Sequence, residues 1–247
     1  VNSYINSADY SGGGVTLTNA AFNLYGGDIT NNSSKLGGGV YVNGDTFNMY
    51  GGTLSGNTAS KYGDNGGDGG GVYIASGLFT MTAGTITGNT ANARAGGVCV
   101  TDKFTMTGGN ITKNSATNGG GGVFISGPSN TFTMSGGTIT GNIAANGGGV
   151  YVYARTNFNV SGNVSITENK QKSSSTAADN VYLYTHAADG AATITINGKL
   201  DSAANIGVNI SPAPTTTGIK FATGATDENA AEYKDIFKSD VTNKGYY

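Results

Sequence analysis

The sequence predicts an all-β fold: a right-handed parallel β-helix of about seven to nine coils, each made of three short strands. Three observations point there. One phrase recurs along the chain, as GGTLSGNTA at 51–59, AGTITGNTA at 83–91, GGNITKNSA at 108–116 and GGTITGNIA at 136–144. Apolar and polar residues alternate with period two over short stretches, the pattern of half-buried strands rather than helices. Four anchor positions keep the same order in each repeat.

The first anchor is the Val after the glycines, at Val15, Val40, Val72, Val98, Val123, Val150 and Val181. These recur about every 25–32 residues, a length that fits one coil. The second is aromatic: Phe22, Phe47, Phe79, Phe104, Phe132 and Phe158. The third is aliphatic: Ile29, Leu54, Ile86, Ile111, Ile139 and Ile166. The fourth follows it by three residues: Asn32, Asn57, Asn89, Asn114, Asn142 and Asn169. A leucine-rich repeat would need more leucines, and a propeller blade a longer period with four strands. Handedness is inferred: the hexapeptide repeats usual in three-sided left-handed helices are missing.

In a parallel stack each anchor sits about 4.8 Å above its equivalent, so like packs on like. Val, Phe/Met and Ile/Leu then line three inner walls. The Asn is expected to turn inward at a corner and form a ladder of stacked amides. The glycines before the Val are expected to give a tight corner, through positive φ and close backbone approach.

The repeats are assigned to residues 1–198. Residues 199–247 are read as irregular closing coils and a C-terminal cap of the same domain. Strands are expected in DNVYLY, ATITING, ANIGVNIS and GIKFATG. The stretch DENAAEYKDIFK (227–238) has helical spacing and reads as a short helix or loop over the open end. At the other end, SYINSADYSGGG reads as the tail of a preceding coil, with Ile5 in the aliphatic role. The chain is accordingly expected to be part of a longer surface protein.

Composition narrows the function classes. Forty-three of 247 residues are Gly, 11% are charged, and the formal net charge is −2. No Lys/Arg run exists, which argues against nucleic acid as a partner. No stretch is apolar enough to insert in a membrane. With one cysteine, Cys99, there is no internal disulfide framework. Insertions lie at 58–71, at 126–130 and at 170–179, where loops of a solenoid often form a binding face. Asp64 and Asp68 in the first insertion offer only two carboxylates, too few for a calcium site. No metal and no cofactor are expected.

The GGGV and ITGNTA pattern resembles the adhesin-like right-handed β-helix proteins of prokaryotic cell surfaces. It is also similar to the chlamydial polymorphic outer-membrane-protein repeats, which pair GGA(I/L/V) with Phe-x-x-Asn. Here the motifs are GGGV or GGV and Ile/Leu-x-x-Asn. The resemblance covers about residues 12–210. It implies an extracellular or cell-surface location and a host or environmental glycan or surface protein as partner.

Catalysis is not expected. Asp28, Asp45, Asp64, Asp68, Asp102 and Glu168 occupy different repeat phases. Asp45 and Asp102 come nearest to sharing one, two coils apart, or about 9–10 Å. His186 lies in the decayed region, and Cys99 has no evident base beside it.

Two outward columns remain. The first strand carries Tyr41, Tyr73, Cys99, Phe124, Tyr151 and Tyr182, an aromatic stripe that either stabilises the sheet or docks sugar rings. The third carries paired hydroxyls, including Thr53, Thr85, Thr87, Thr112, Thr138 and Thr140. Their spacings of about 4.8 and 6.7 Å resemble the ice-binding face of β-helical antifreeze proteins. The reading is a non-catalytic adhesin-like or structural module. The alternatives are a β-helical carbohydrate-active enzyme and an ice-binding protein.

Overall fold

The computed structural model describes residues 12–174, 176–186, 190–211, 221–224 and 233–240. Its regular elements are β-strands, stacked in parallel as a solenoid of about eight turns. The expected anchors fall in register. Val40, Val72, Val98, Val123, Val150 and Val181 pair successively on the first wall. Phe22, Phe47, Phe79, Phe104, Phe132 and Phe158 pair on the second. Ile29, Leu54, Ile86, Ile111, Ile139 and Ile166 pair on the third.

All the side chains of these anchors from Val40 to Val181 are fully buried in one continuous core. The phenylalanines form a column of nearly parallel rings, 4.7–5.0 Å apart from Phe47 to Phe158. That spacing is the interstrand distance itself, so one rotamer serves the whole column.

The structure adds a fourth ladder that the alternation did not reveal. It consists of the two residues after each Asn: Ser33–Ser34, Thr58–Ala59, Thr90–Ala91, Ser115–Ala116, Ile143–Ala144 and Lys170–Gln171. Ala91, Ala116 and Ala144 make a small second core there. Two residues are too short for a periodic signal.

The Asn ladder is present: from Asn57 to Asn169 each amide oxygen accepts from the Asn of the preceding coil, while Asn32 Oδ1 at its N-terminal end has no partner among the described residues. Asn114 Oδ1 accepts from the backbone N–H of Asn89 at 3.0 Å and from its Nδ2 at 2.9 Å. Asn114 Nδ2 donates to Asn142 Oδ1 at 3.0 Å and to the Ile86 carbonyl at 2.9 Å. The same pattern runs from Asn32 through Asn57, Asn89, Asn114 and Asn142 to Asn169.

The glycine corner differs from expectation in one respect. Positive φ belongs to the residue two before the Gly-Val pair, at Gly37, Gly69, Ala95, Gly120 and Gly147. The two glycines directly before Val are needed for space. A Cβ on Gly122 would lie 2.9 Å from Ile139 Cγ2 and 3.1 Å from Asn142 Nδ2. A Cβ on Gly121 would lie 2.6 Å from the Ile143 carbonyl of the fourth ladder. Gly-Gly and Asn are therefore one device: the amide and the short strand fill the room that side chains would take.

The closing region keeps the stack with shorter turns. Asn205–Ser211 pairs with the third wall at Ile166 and with the first at Val181. Phe237–Ser239, expected as helix or loop, is a strand on top of it, with Ile206 opposite Phe237. Pairing to an exposed edge overrides the helical spacing. Asn180 continues the amide ladder out of sequence phase, and Asp240 ends it. Ile5, the positions 218–220 of GIKFATG and 227–232 lie outside the described residues.

Candidate functional site

Alternation on the first wall aims one set of side chains away from the main core, and the aromatic stripe stands there. Tyr41 and Tyr73 stack at 5.7 Å, Phe124 and Tyr151 at 5.0 Å, and Tyr151 and Tyr182 at 5.1 Å. The column is not evenly open. Cys99 is 1% exposed, Phe124 5% and Tyr182 9%, while Tyr41, Tyr73 and Tyr151 are half-buried. The corner preceding each strand folds over the stripe, and Ala95, Cys99 and Phe124 form a satellite core against Tyr73 and Tyr151. Burial pushes the Tyr73 phenol up to about 12 and raises those of Tyr41, Tyr151 and Tyr182. It also raises the Cys99 thiol, the opposite of what a nucleophile needs.

Sequence reasoning missed a second aromatic column. Two residues beyond Tyr151 and Tyr182, Tyr153 and Tyr184 face the same side with rings 5.2 Å apart, and His186 lies 6.2 Å from Tyr153. The signal was in the strings VYVY and VYLY, where tyrosine repeats with the strand period.

Beside these rings lies an open cleft of about 550 Å³. Its lining comprises Arg94, Phe124, Ser126, Gly127, Pro128, Tyr153, Ala154 and Arg155. The loop 126–130 forms one wall, held by a turn in which the Asn130 N–H donates to the Gly127 carbonyl at 3.1 Å. The turn 153–156 forms another, where the Thr156 hydroxyl donates to the Tyr153 carbonyl at 2.7 Å. Arg94 reaches in from the corner before Val98 and lies 5.1 Å from the centroid of the Phe124 ring.

Asp68 and Asp102 have structural partners. Asp68 is 5% exposed and grips Arg94: Nη2 donates to Oδ2 at 2.7 Å and Nε to Oδ1 at 3.1 Å. The partner's hydrogen bonds raise the Arg94 pKa further. Asp64 is exposed in the hairpin turn of Lys61–Tyr62 and Asn65–Gly66. Asp45 lies opposite Gly77, whose N–H donates to Asp102 at 2.7 Å. That pair therefore flanks a backbone bulge.

The threonine columns are in register. Thr53, Thr85, Asn110 and Thr138 pair in order, as do Ser55, Thr87, Thr112 and Thr140. Asn110 interrupts the first, and the Thr112 hydroxyl donates to Thr87 Oγ1 at 3.1 Å.

Comparison with protein-family models, curated proteins and solved structures finds no match for the chain.

Proposed function

We propose that the chain is a non-catalytic binding module of an extracellular or cell-surface protein, and that it contacts a glycan through the aromatic outer face of its first wall. One observation carries this reading: the half-buried rings of Tyr151, Tyr153 and Tyr184, stacked beside the buried Tyr182, form an aromatic terrace beside an open cleft. Stiff amphipathic rings suit the apolar faces of sugars and lose little entropy on binding. The acids support the non-catalytic reading, because Asp68 and Asp102 are engaged in holding the fold.

A glycan and mucin array tests it, comparing the chain with a Tyr153→Ser/Tyr184→Ser variant and with Tyr41→Ser. Binding that the double substitution abolishes, with both proteins folded by circular dichroism, is the expected result. No binding by any of the three would sink the proposal. The aligned threonine columns favour ice as a second reading, and thermal hysteresis lost in Thr85→Tyr or Thr138→Tyr would select it instead.

A further inference from the structure

At its N-terminal end the amide ladder stops on an acceptor. Asn32 is 1% exposed, and its Oδ1 has no partner among the described residues. The equivalent oxygens each take two bonds. Asn57 Oδ1 accepts from the N–H of Asn32 at 3.0 Å and from its Nδ2 at 2.9 Å. Asn89 Oδ1 accepts from both donors of Asn57 at 2.9 Å. A buried carbonyl oxygen without a donor is costly, so the ladder calls for one more amide on this side. The backbone shows the same requirement. In later coils the N–H of the residue after the Asn donates to the carbonyl of the preceding Asn, as Thr58 does to Asn32 at 2.8 Å and Ser115 to Asn89 at 2.9 Å. Ser33 holds that place in the first coil, on the edge strand of the fourth ladder.

Whatever covers this end must bring an N–H and a side-chain amide to Asn32 Oδ1, and a carbonyl to the Ser33 N–H. One Asn in ladder phase carries all three. Residues 1–11 lie outside the described residues and lead directly into Gly12 at this end. Within them Asn6 precedes Val15 by nine residues, as Asn89 precedes Val98 and Asn114 precedes Val123. Asn6-Ser7-Ala8 also repeats the triplet Asn114-Ser115-Ala116, of which Ser115–Ala116 is a strand of the fourth ladder. This phase replaces the one that gives Ile5 the aliphatic role, which would bring Ala8, a residue with no amide, to the Asn position. A second copy stacked head to tail does not meet the requirement. The other end of the ladder finishes on the Asp240 carboxylate, which accepts from Asn180. Against Asn32 Oδ1 it would set acceptor on acceptor.

We propose that the N-terminal end of the stack is a docking surface for residues 1–11 of the same chain, with Asn6 as the first rung of the ladder. The Asn6 N–H and Nδ2 donate to Asn32 Oδ1, and the Asn6 carbonyl accepts from the Ser33 N–H. Docking covers an edge that would otherwise be a template for association. The proposal is independent of the glycan reading.

The test is NMR of the full isotope-labelled chain, with Asn6→Ala, Asn6→Asp and, as control, Asn2→Ala. In the unsubstituted chain a scalar coupling across the hydrogen bond is expected between the Asn6 side-chain amide and Asn32 Cγ. Asn6→Ala should move the Asn32 13Cγ resonance. It should also speed amide exchange at Ser33 by about tenfold or more, the scale of one orphaned buried group. Amides at 98–134 should keep their rates, because each coil feels chiefly its neighbours. Asn2→Ala, which lies out of phase, should change neither. Asn6→Asp should behave like Asn6→Ala at pH 7 and regain protection at Ser33 below about pH 4, where the protonated acid can donate.

An Asn32 13Cγ resonance that is the same in Asn6→Ala overturns the proposal. So does a shift produced by Asn2→Ala in place of Asn6→Ala. A Ser33 exchange rate that removal of residues 1–11 leaves unchanged overturns the docking itself. An Asn32 13Cγ shift that grows with protein concentration in the intact chain assigns the end to a second copy and overturns the choice of occupant.

Discussion

At the residue scale the fold turns on the Asn and on the position before it. The Asn114 amide uses both its acceptor sites and both its donors in an interior from which water is excluded. Asn114→Ala would strip the Asn89 backbone N–H and Nδ2 of their acceptor and the Ile86 carbonyl of a donor. Each orphaned buried group costs about 1–3 kcal/mol. The expected loss therefore exceeds about 3 kcal/mol in urea unfolding, far more than an exposed Asn→Ala change would give. The preceding residue is left-handed in every repeat: Gly56, Gly88 and Gly141 have φ of 62–66°, and Asn31, Lys113 and Glu168 share that conformation. A side chain there costs roughly 1–2 kcal/mol of backbone strain, partly offset by the freer unfolded state of glycine. Lys113→Gly should thus raise stability by about 0.5–1 kcal/mol, read as a higher urea midpoint. Lys113 is exposed, so little packing is lost.

At the scale of the element, the strands were legible because burial alternates cleanly along them. Phe132, Met134 and Ile139 are fully buried, while Thr131, Thr133, Thr138 and Thr140 flank them on the outside. The chain does not stop at each wall, however. Val40–Met49 and Val72–Met81 run through the first corner without a break, and Thr131–Thr140 runs through the second. Pairing between coils carries the strand around the bend, and the β-bulges at Ser76 and Gly136 absorb the turn. The aromatic stripe was legible in direction but not in exposure. Its cover comes from the corner residues of neighbouring coils, such as Ala95 over Cys99 and Phe124. Such a contact depends on how corners fold back, which no period records. Within the inner walls the Phe column is the largest repeated feature. Phe104 is fully buried between Phe79 at 4.8 Å and Phe132 at 4.7 Å. Phe104→Ala would open a ring-sized void between two rigid neighbours and should cost about 3–5 kcal/mol in denaturant unfolding. Phe104→Leu should recover more than half of that loss if the void is the cause.

At the scale of the whole molecule, stability is shared between neighbouring coils, so the ends matter most. The amide-to-amide bonds are directional: each Asn donates to the Oδ1 of the Asn in the next coil toward the C-terminal end. The ladder's last free donors are the N–H and Nδ2 of Asn180, and the Asp240 carboxylate takes both at 2.6 Å. Beside it, Asp179 is 1% exposed and accepts from the Gly147 N–H at 2.6 Å and from Asn209 Nδ2 at 3.1 Å. Neither residue was legible as part of the ladder, because Asn180 and Asp240 leave the Ile-x-x-Asn phase and meet only through the shortened closing turns. Burial, reinforced by the nearby Asp240 charge, pushes Asp179 up to about 6, and burial raises Asp240 as well. A carboxylate in the unfolded chain titrates near 4. Between about 4 and 6 the folded protein therefore binds more protons than the unfolded chain, and stability falls as pH rises. The contribution is fully present below about pH 4 and is lost once pH passes the folded value of about 6. Asp179→Asn removes the titrating group. The difference in unfolding free energy between the chain and this variant should then change across that window, with the chain losing ground as pH rises. Urea unfolding at a series of pH values reads it directly, and a flat difference would mean that Asp179 titrates normally. Hydrogen exchange places the effect: raising pH should loosen amides at 180–184 and 205–211 while those at 98–134 stay protected, because each coil feels chiefly its neighbours.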